Sequence, residues 1–549
     1  VKSSSIRGRP PCQRSQISVR LVQALVGGLV GVVWLVLPGM TVVGGVAGGA
    51  ERPVAGAVGQ GEDEGDSAVD FVLPVAAIVT AGVLAGYGFL RRRRRARERT
   101  TPGGAPGAGV EPPVGELDER ARASLVAADD AVRVSAEELG FVAERFGVEL
   151  DTADDSMRVS EKEVGFVAER FAAVLRDAEA ELAVAFRMRW QYEGGVPEEA
   201  AARRHALAGI VGRCEEAGRL LDGQAAAFDQ VRGLEEGLGG GLGHALVVAE
   251  GRFRELTGRA ASATTTLAEL GERHGPAAIA TVAGHAEQAK DRLVFATTHL
   301  NHARQSADAG TPDRAATHLR TAESAIAQAT TFITGIERLA GDLATAAAMV
   351  PAALTGGEVE IRGAREAGVR RQPPSDVPPG ELQARVIHAD LALAGVREVL
   401  VSGRPYDPVE LLRRIVRAVA PVVSGRAGVI PVAAEVCARG AVAGADDVVA
   451  THRAAVGGEA RTRLAEARRL LTSPAPGREL ADLVAADTLA RQARDLAEQD
   501  IRMHGNPVDA PDVGGLAGAV LGGILLRDGA PPSFGGPRTR DRRKYPADS

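Results

Sequence analysis

His299 and His302 are the pair best spaced for metal chemistry, three residues apart on one face of a helical stretch, with Asp291 and His285 further back. A closed site needs a third and a fourth ligand at defined positions, and the spacing supplies neither, so the pair reads as polar surface histidines. Cys214 and Cys437 lie in helical stretches with no adjacent histidine or basic cluster to lower a thiol pKa. They read as buried structural cysteines. With Cys12 they make three scattered cysteines, which excludes a disulfide framework and a cysteine-based zinc site. No glycine pair leads into Gly-Lys-Ser/Thr, and the cluster Gly237 to Gly243 never satisfies G-x-G-x-x-G. Neither a G-x-S-x-G elbow nor an H-E-x-x-H helix occurs. No carboxylate pair stands apart from the helical surface pattern. The sequence therefore assigns no catalytic, cofactor-binding or metal residue, implies no cofactor, and points away from an enzyme.

The elements that would carry any such site are helices. Aromatics make up 3% of 549 residues and charged residues 25%, a composition poor in what β-sandwiches and barrels draw on. Val132, Ser135, Leu139, Val142 and Phe146 are spaced 3, 4, 3, 4, as in the seam of a coiled coil or antiparallel bundle. Met157, Ser160, Val164, Val167, Phe171 and Val174 repeat that spacing. The two stretches are copies: Asp129 to Phe146 matches Asp154 to Phe171 at most positions, 25 residues apart. That step is about seven turns, so a long helix carrying both copies would present them as one continuous seam. Gly194 to Pro197, Gly237 to Gly243, Gly275-Pro276 and Gly310 to Pro312 punctuate the helices, with Thr311 as an N-cap and Pro312 in the first turn. The strongest internal break is the Pro-rich run 371–380.

The amino end carries a membrane signal. Arg7, Arg9, Arg14 and Arg20 precede an apolar run from Leu21 to Leu37 and a small-residue stretch ending at Ala50, which fits a secretory signal peptide or a retained first transmembrane segment. Phe71 to Leu90 is an uncharged apolar block long enough to span a bilayer. Arg91, Arg92, Arg93, Arg94 and Arg95 follow at once, which places the remaining chain on the cytoplasmic side and suits anionic lipid head groups. Residues 1–100 hold 13 Lys and Arg against 7 Asp and Glu, a net of +6. Since the whole chain is −6, the remainder carries −12, a poor match to a nucleic-acid backbone.

Several segments carry a family resemblance: Leu117 to Gly147, Leu267 to Gly310, Pro405 to Arg414, Gly457 to Leu471 and Leu496 to Pro507. In their order behind a basic-flanked apolar block, this sequence resembles the actinobacterial TPM domain-containing membrane proteins. The resemblance implies an extracytoplasmic α/β TPM domain between signal and span, with a cytoplasmic coiled-coil body behind it. In other lineages TPM domains are linked to phosphatase activity and to membrane-complex repair. Only Glu51 to Asp70 lies between the two apolar segments, too few residues for that domain, so no residue inherits a TPM site. A misplaced start or a deletion would account for this.

The expected architecture is all-α: a membrane-anchored, long antiparallel helical bundle or coiled-coil body. Its order is a signal or first span (1–50), an outer segment (51–70), a transmembrane helix (71–90) and a basic linker (91–115). A helical domain (116–370), a linker (371–380), a second helical region (381–504) and a disordered Gly/Arg-rich tail (505–549) follow. The expected role is a helical scaffold with self-association or protein partners through its helices. The alternative is a remnant or subunit of a TPM-type protein.

Overall fold

The computed structural model describes residues 112–152, 158–234, 241–369, 378–422, 428–472, 479–504 and 533–544. All of them fall in one unit, Ala108–Ser549, and the expected apolar segments and arginine run before residue 112 lie outside the described residues. Every regular element among the described residues is an α-helix, as the 3-4 spacing predicts.

The first group comprises α1 (Val114–Thr152), α2 (Arg158–Gly194), α3 (Ala200–Asp222) and α4 (Ala225–Arg232). Asp118, near the start of α1, pairs with Arg189, near the end of α2, which fixes the two helices as antiparallel. The expectation of one continuous helical seam is thereby corrected. The duplicated segments stand on two helices that face each other. Val132 and Val142 of the first copy and Phe171 of the second are buried in one cluster. The side chains of Phe146, Met157, Ser160, Val164 and Val167 lie outside the described residues.

Part of the stretch read as a disordered tail is placed against this group. Phe534, just before α14 (Pro537–Lys544), is fully buried. Its ring stacks on Phe228 at 4.4 Å and meets Phe171 edge-on at 5.7 Å. Asp222 accepts hydrogen bonds from the backbone N–H and the hydroxyl of Thr539, at 3.0 and 2.7 Å. One buried aromatic ring and a capped helix start give a Gly- and Arg-rich segment enough contact to order it.

Beyond it lie α5 (Leu242–His274), the single turn α6 (Pro276–Ile279), α7 (His285–Asp308) and α8 (Pro312–Val369), the last 58 residues long. Gly310 has φ +70° and closes the α7–α8 hairpin, a left-handed position that glycine takes without a Cβ clash. Pro312 starts α8 as the sequence predicts. The Thr311 hydroxyl turns back and donates to the Ser306 carbonyl, so it satisfies the end of α7.

α8 joins two cores. Its first half, Ala316 to Ile336, packs with α5 and α7, and its second half, Ala346 to Ile361, with the helices that follow. Those are α9 (Pro379–Val401), α10 (Pro408–Val419), α11 (Val429–Thr451), α12 (Gly458–Thr472) and α13 (Leu480–His504). A Cβ on Gly356 would come within 2.7 Å of Val429, and one on Gly357 within 3.0 Å of Val419, so this glycine pair lets α10 and α11 approach the α8 backbone. The helices on either side of 371–380 share this core. By length and composition, Pro312–Glu366 could also cross a membrane; a buried core helix passes the same test, and Leu343, Ala346, Val350 and Ala353 are buried against other helices.

Candidate functional site

Where α6, α7, α8, α10, α11 and α13 converge, they leave a polar cleft of about 590 Å³. Small residues open it. A Cβ on Gly335 of α8 would meet Oδ2 of Asp447 at 3.1 Å and Nδ1 of His285 at 3.3 Å, so both groups converge over that glycine. Across the cleft, a Cβ on Gly440 of α11 would meet Oδ2 of Asp342 at 3.0 Å.

Charges of both signs line the cleft. Arg338 pairs with Asp447, and Arg494 donates to the Thr281 carbonyl at 2.8 Å and pairs with Glu498 at 2.8 Å. Arg413 bridges Asp487 and Glu410, at 2.9 and 2.7 Å, while Asp407 caps α10 by accepting from the N–H groups of Val409 and Glu410. Burial pushes the Asp447 carboxyl up to about 6, although Arg338 pulls against it, and burial also raises Asp342. Burial, helped by Arg494 and His452, holds His285 down at about 4, and its Nδ1 has no hydrogen-bond partner. Near neutral pH the wall therefore presents a neutral imidazole beside a largely ionised carboxylate whose pKa burial has raised. Such an arrangement suits recognition of a small polar ligand bearing both donors and acceptors.

Sequence reasoning did not single out this cleft, because its walls run from residue 277 to residue 498. The accessible signal was the Gly440-x-x-x-Gly444 spacing on an apolar helix, which marks a face without side-chain bulk.

The histidines noticed in the sequence divide between two places. His285 lines the cleft. His299 and His302 stand further along α7 and meet His318 of α8, with Nδ1 of His299 3.2 Å from Nδ1 of His318. Burial and the neighbouring imidazoles lower the pKa of both His299 and His318. His318 was findable, since His302 lies eight residues before Gly310 and His318 eight after it. Positions equidistant from the turn meet across an antiparallel hairpin. Asp291 is exposed on the same helix. Among the described residues, no group of three or more His, Cys, Asp or Glu side chains could hold a metal ion. Cys214 and Cys437 are buried free thiols, each pushed up to about 12 by burial, which leaves almost no thiolate at neutral pH. Cys12 lies outside the described residues.

The chain is thus an all-α protein with a polar cleft between helices. It is similar to UPF0603 proteins from two strains of Mycobacterium tuberculosis, at 30% identity over 431 residues. The alignment covers 76% of this chain, and the chain spans 62% of the length of each of these relatives. No family model matches the sequence, and no solved structure matches the fold.

Proposed function

We propose that the chain is a membrane-anchored helical interaction protein whose body, residues 100–549, lies on the cytoplasmic side and associates with a second copy through α9. The observation that carries the reading is the outer face of α9. Val386, Ala389, Leu393 and Val396 pack inward, yet Ile387 and Leu391 on the opposite face are 50% and 69% exposed, and Val401 is 86% exposed. A helix apolar on both faces has one face left to cover. Arg365 is neutralised by Asp390 and Arg397 by Glu358, which lowers the charge cost of a twofold pairing of identical strips. The exposed Glu398, two turns from Leu391 on the same side, lies at the edge of the strip. Anchoring rests on the apolar block 71–90 and on Arg91 to Arg95, which also favour anionic lipid. Protease added outside intact protoplasts should spare a carboxy-terminal tag; digestion of that tag overturns the topology.

A second reading, a remnant or subunit of a TPM-type protein, is supported by the share of its relatives' length that the chain leaves uncovered. Reading the DNA upstream of the codon for Val1 tests it. An in-frame TPM region there would favour this reading over an independent scaffold.

A further inference from the structure

We infer that α1 to α4 form a groove that recognises a Phe-Gly-Gly-Pro-x-Thr peptide, which the chain fills with its own residues 534–539 and which the same segment of a second copy can fill instead. The segment is held as a ligand is held, by one aromatic anchor, a glycine crossing and a few hydrogen bonds. This reading does not depend on pairing through α9.

The groove carries polar groups whose partners come from the segment. Ser135 of α1 is fully buried at a seam position of the first repeat copy, where the spacing calls for an apolar residue. Its hydroxyl accepts from the backbone N–H of Gly535 at 3.2 Å and makes no other hydrogen bond among the described residues. A buried hydroxyl left without a partner is destabilising, so the segment supplies what the seam lacks. Asp222, at the end of α3, likewise has only Thr539 as its hydrogen-bond partner there. Arg540 donates to the Asp130 carbonyl at 2.7 Å.

Specificity comes from close approach. The Phe534 ring is the anchor, enclosed by Phe171 and Phe228. Gly535 has φ +139°, a conformation that side chains rarely adopt. A Cβ on Gly536 would overlap the carbonyl oxygen of Gly218 in α3, and one on Gly218 would come within 2.8 Å of the Pro537 ring. Two backbones thus cross at a glycine on each side. Every other buried member of the cluster that holds Phe534 belongs to α1–α4, so the groove keeps a core of its own when the segment leaves. At up to ~3.5 Å per residue, the stretch 505–532 is long enough to reach the groove of its own chain or of a neighbour.

The test is fluorescence anisotropy of a labelled peptide, residues 530–544, titrated with the full chain in detergent micelles. Gly536→Ala in the chain sets a methyl against Gly218 and empties the groove without altering it. That chain should bind the peptide saturably, and wild type, whose groove is filled, should bind it roughly tenfold more weakly. A peptide carrying Phe534→Ala should lose roughly tenfold or more in affinity. Should the Gly536→Ala chain fail to fold, a chain with Phe534→Ala takes its place, and the unaltered peptide should raise its melting temperature. No binding by either variant chain, or failure of both to fold, makes the segment a fixed part of the fold and overturns the inference. Equal binding by wild type and variant chain puts the peptide elsewhere, and equal binding of the Phe534→Ala peptide reports only its arginines on an acidic body; either result overturns it too.

Discussion

At the junction of α1, α11 and α12, Arg461 donates to Asp129 at 2.6 Å and to Asp130 at 2.8 Å. It also donates to the carbonyls of Val456 and Arg453. Arg133 joins the same group, pairing with Asp129 at 3.0 Å and with Asp446 at 2.7 Å. In the cleft, by contrast, His285 keeps a buried ring nitrogen without a partner, and Asp447 pairs with Arg338, helped at longer range by Arg494, which together do not offset the cost of its burial. The outcomes are opposite. Burial would raise Asp129, but Arg133 and Arg461 overcome it and hold the carboxyl at about 2, whereas Asp447 sits at about 6. Satisfied charges lock helices together across more than 300 residues of sequence. Partly satisfied ones leave chemistry near neutrality, which is what a binding site needs and a structural joint does not.

Breaking the joint should rank among the largest effects. Arg461→Met leaves the buried Asp129 with Arg133 alone, takes the ion-pair partner from the half-buried Asp130, and should cost about 3 kcal/mol in urea unfolding. A loss below about 1 kcal/mol would mean that the network is solvated and does not hold the helices.

Phe171→Ala removes the ring that meets both Phe228, at 5.2 Å, and Phe534. It should cost about 3–4 kcal/mol, within the range for core phenylalanines. Phe534→Ala should approach that loss if the Ser533–Lys544 segment is part of the same core. A silent Phe534→Ala would detach the segment.

The cleft should be gentler and should depend on pH. The folded pKa of His285 is depressed, so the unfolded chain takes up its proton first. Stability is lost as pH falls from 6.5 toward about 4. Asp447 slopes the other way, because its raised folded pKa means stability falls as pH rises from 3.8 toward about 6. The contribution of His285 is therefore read as a difference between proteins. Between neutral pH and about pH 4.5, wild type should lose about 2 kcal/mol more than His285→Gln. Parallel pH curves for the two proteins would show that His285 is solvated.

Much of this fold was legible in the sequence, and most of the cleft was not. Helix type followed from the 3-4 spacing, and α8 begins at Pro312 and α10 at Asp407-Pro408, where proline and a capping residue announce them. The repeat at Asp154 to Phe171 was plain, but its direction was not, because a seven-turn step continues a helix as well as it folds back. The Phe534 anchor was hidden in a Gly/Pro/Arg composition that describes the average of the tail and misses its single buried ring. His285 and Asp447 could not be linked from sequence, since what joins them is a bare patch of backbone at Gly335.

The smallest effect on stability should come from the outer face of α9, and it tests the central claim most directly. In Ile387→Glu/Leu391→Glu both changes are solvent-facing and should alter unfolding by no more than about 0.5 kcal/mol each. The decisive measurement is the mass of the full chain in detergent micelles by light scattering across a concentration series. A wild-type dimer that becomes a monomer in the double variant is the predicted result. A wild-type monomer at every concentration, or a dimer unchanged by the two glutamates, would contradict association through α9.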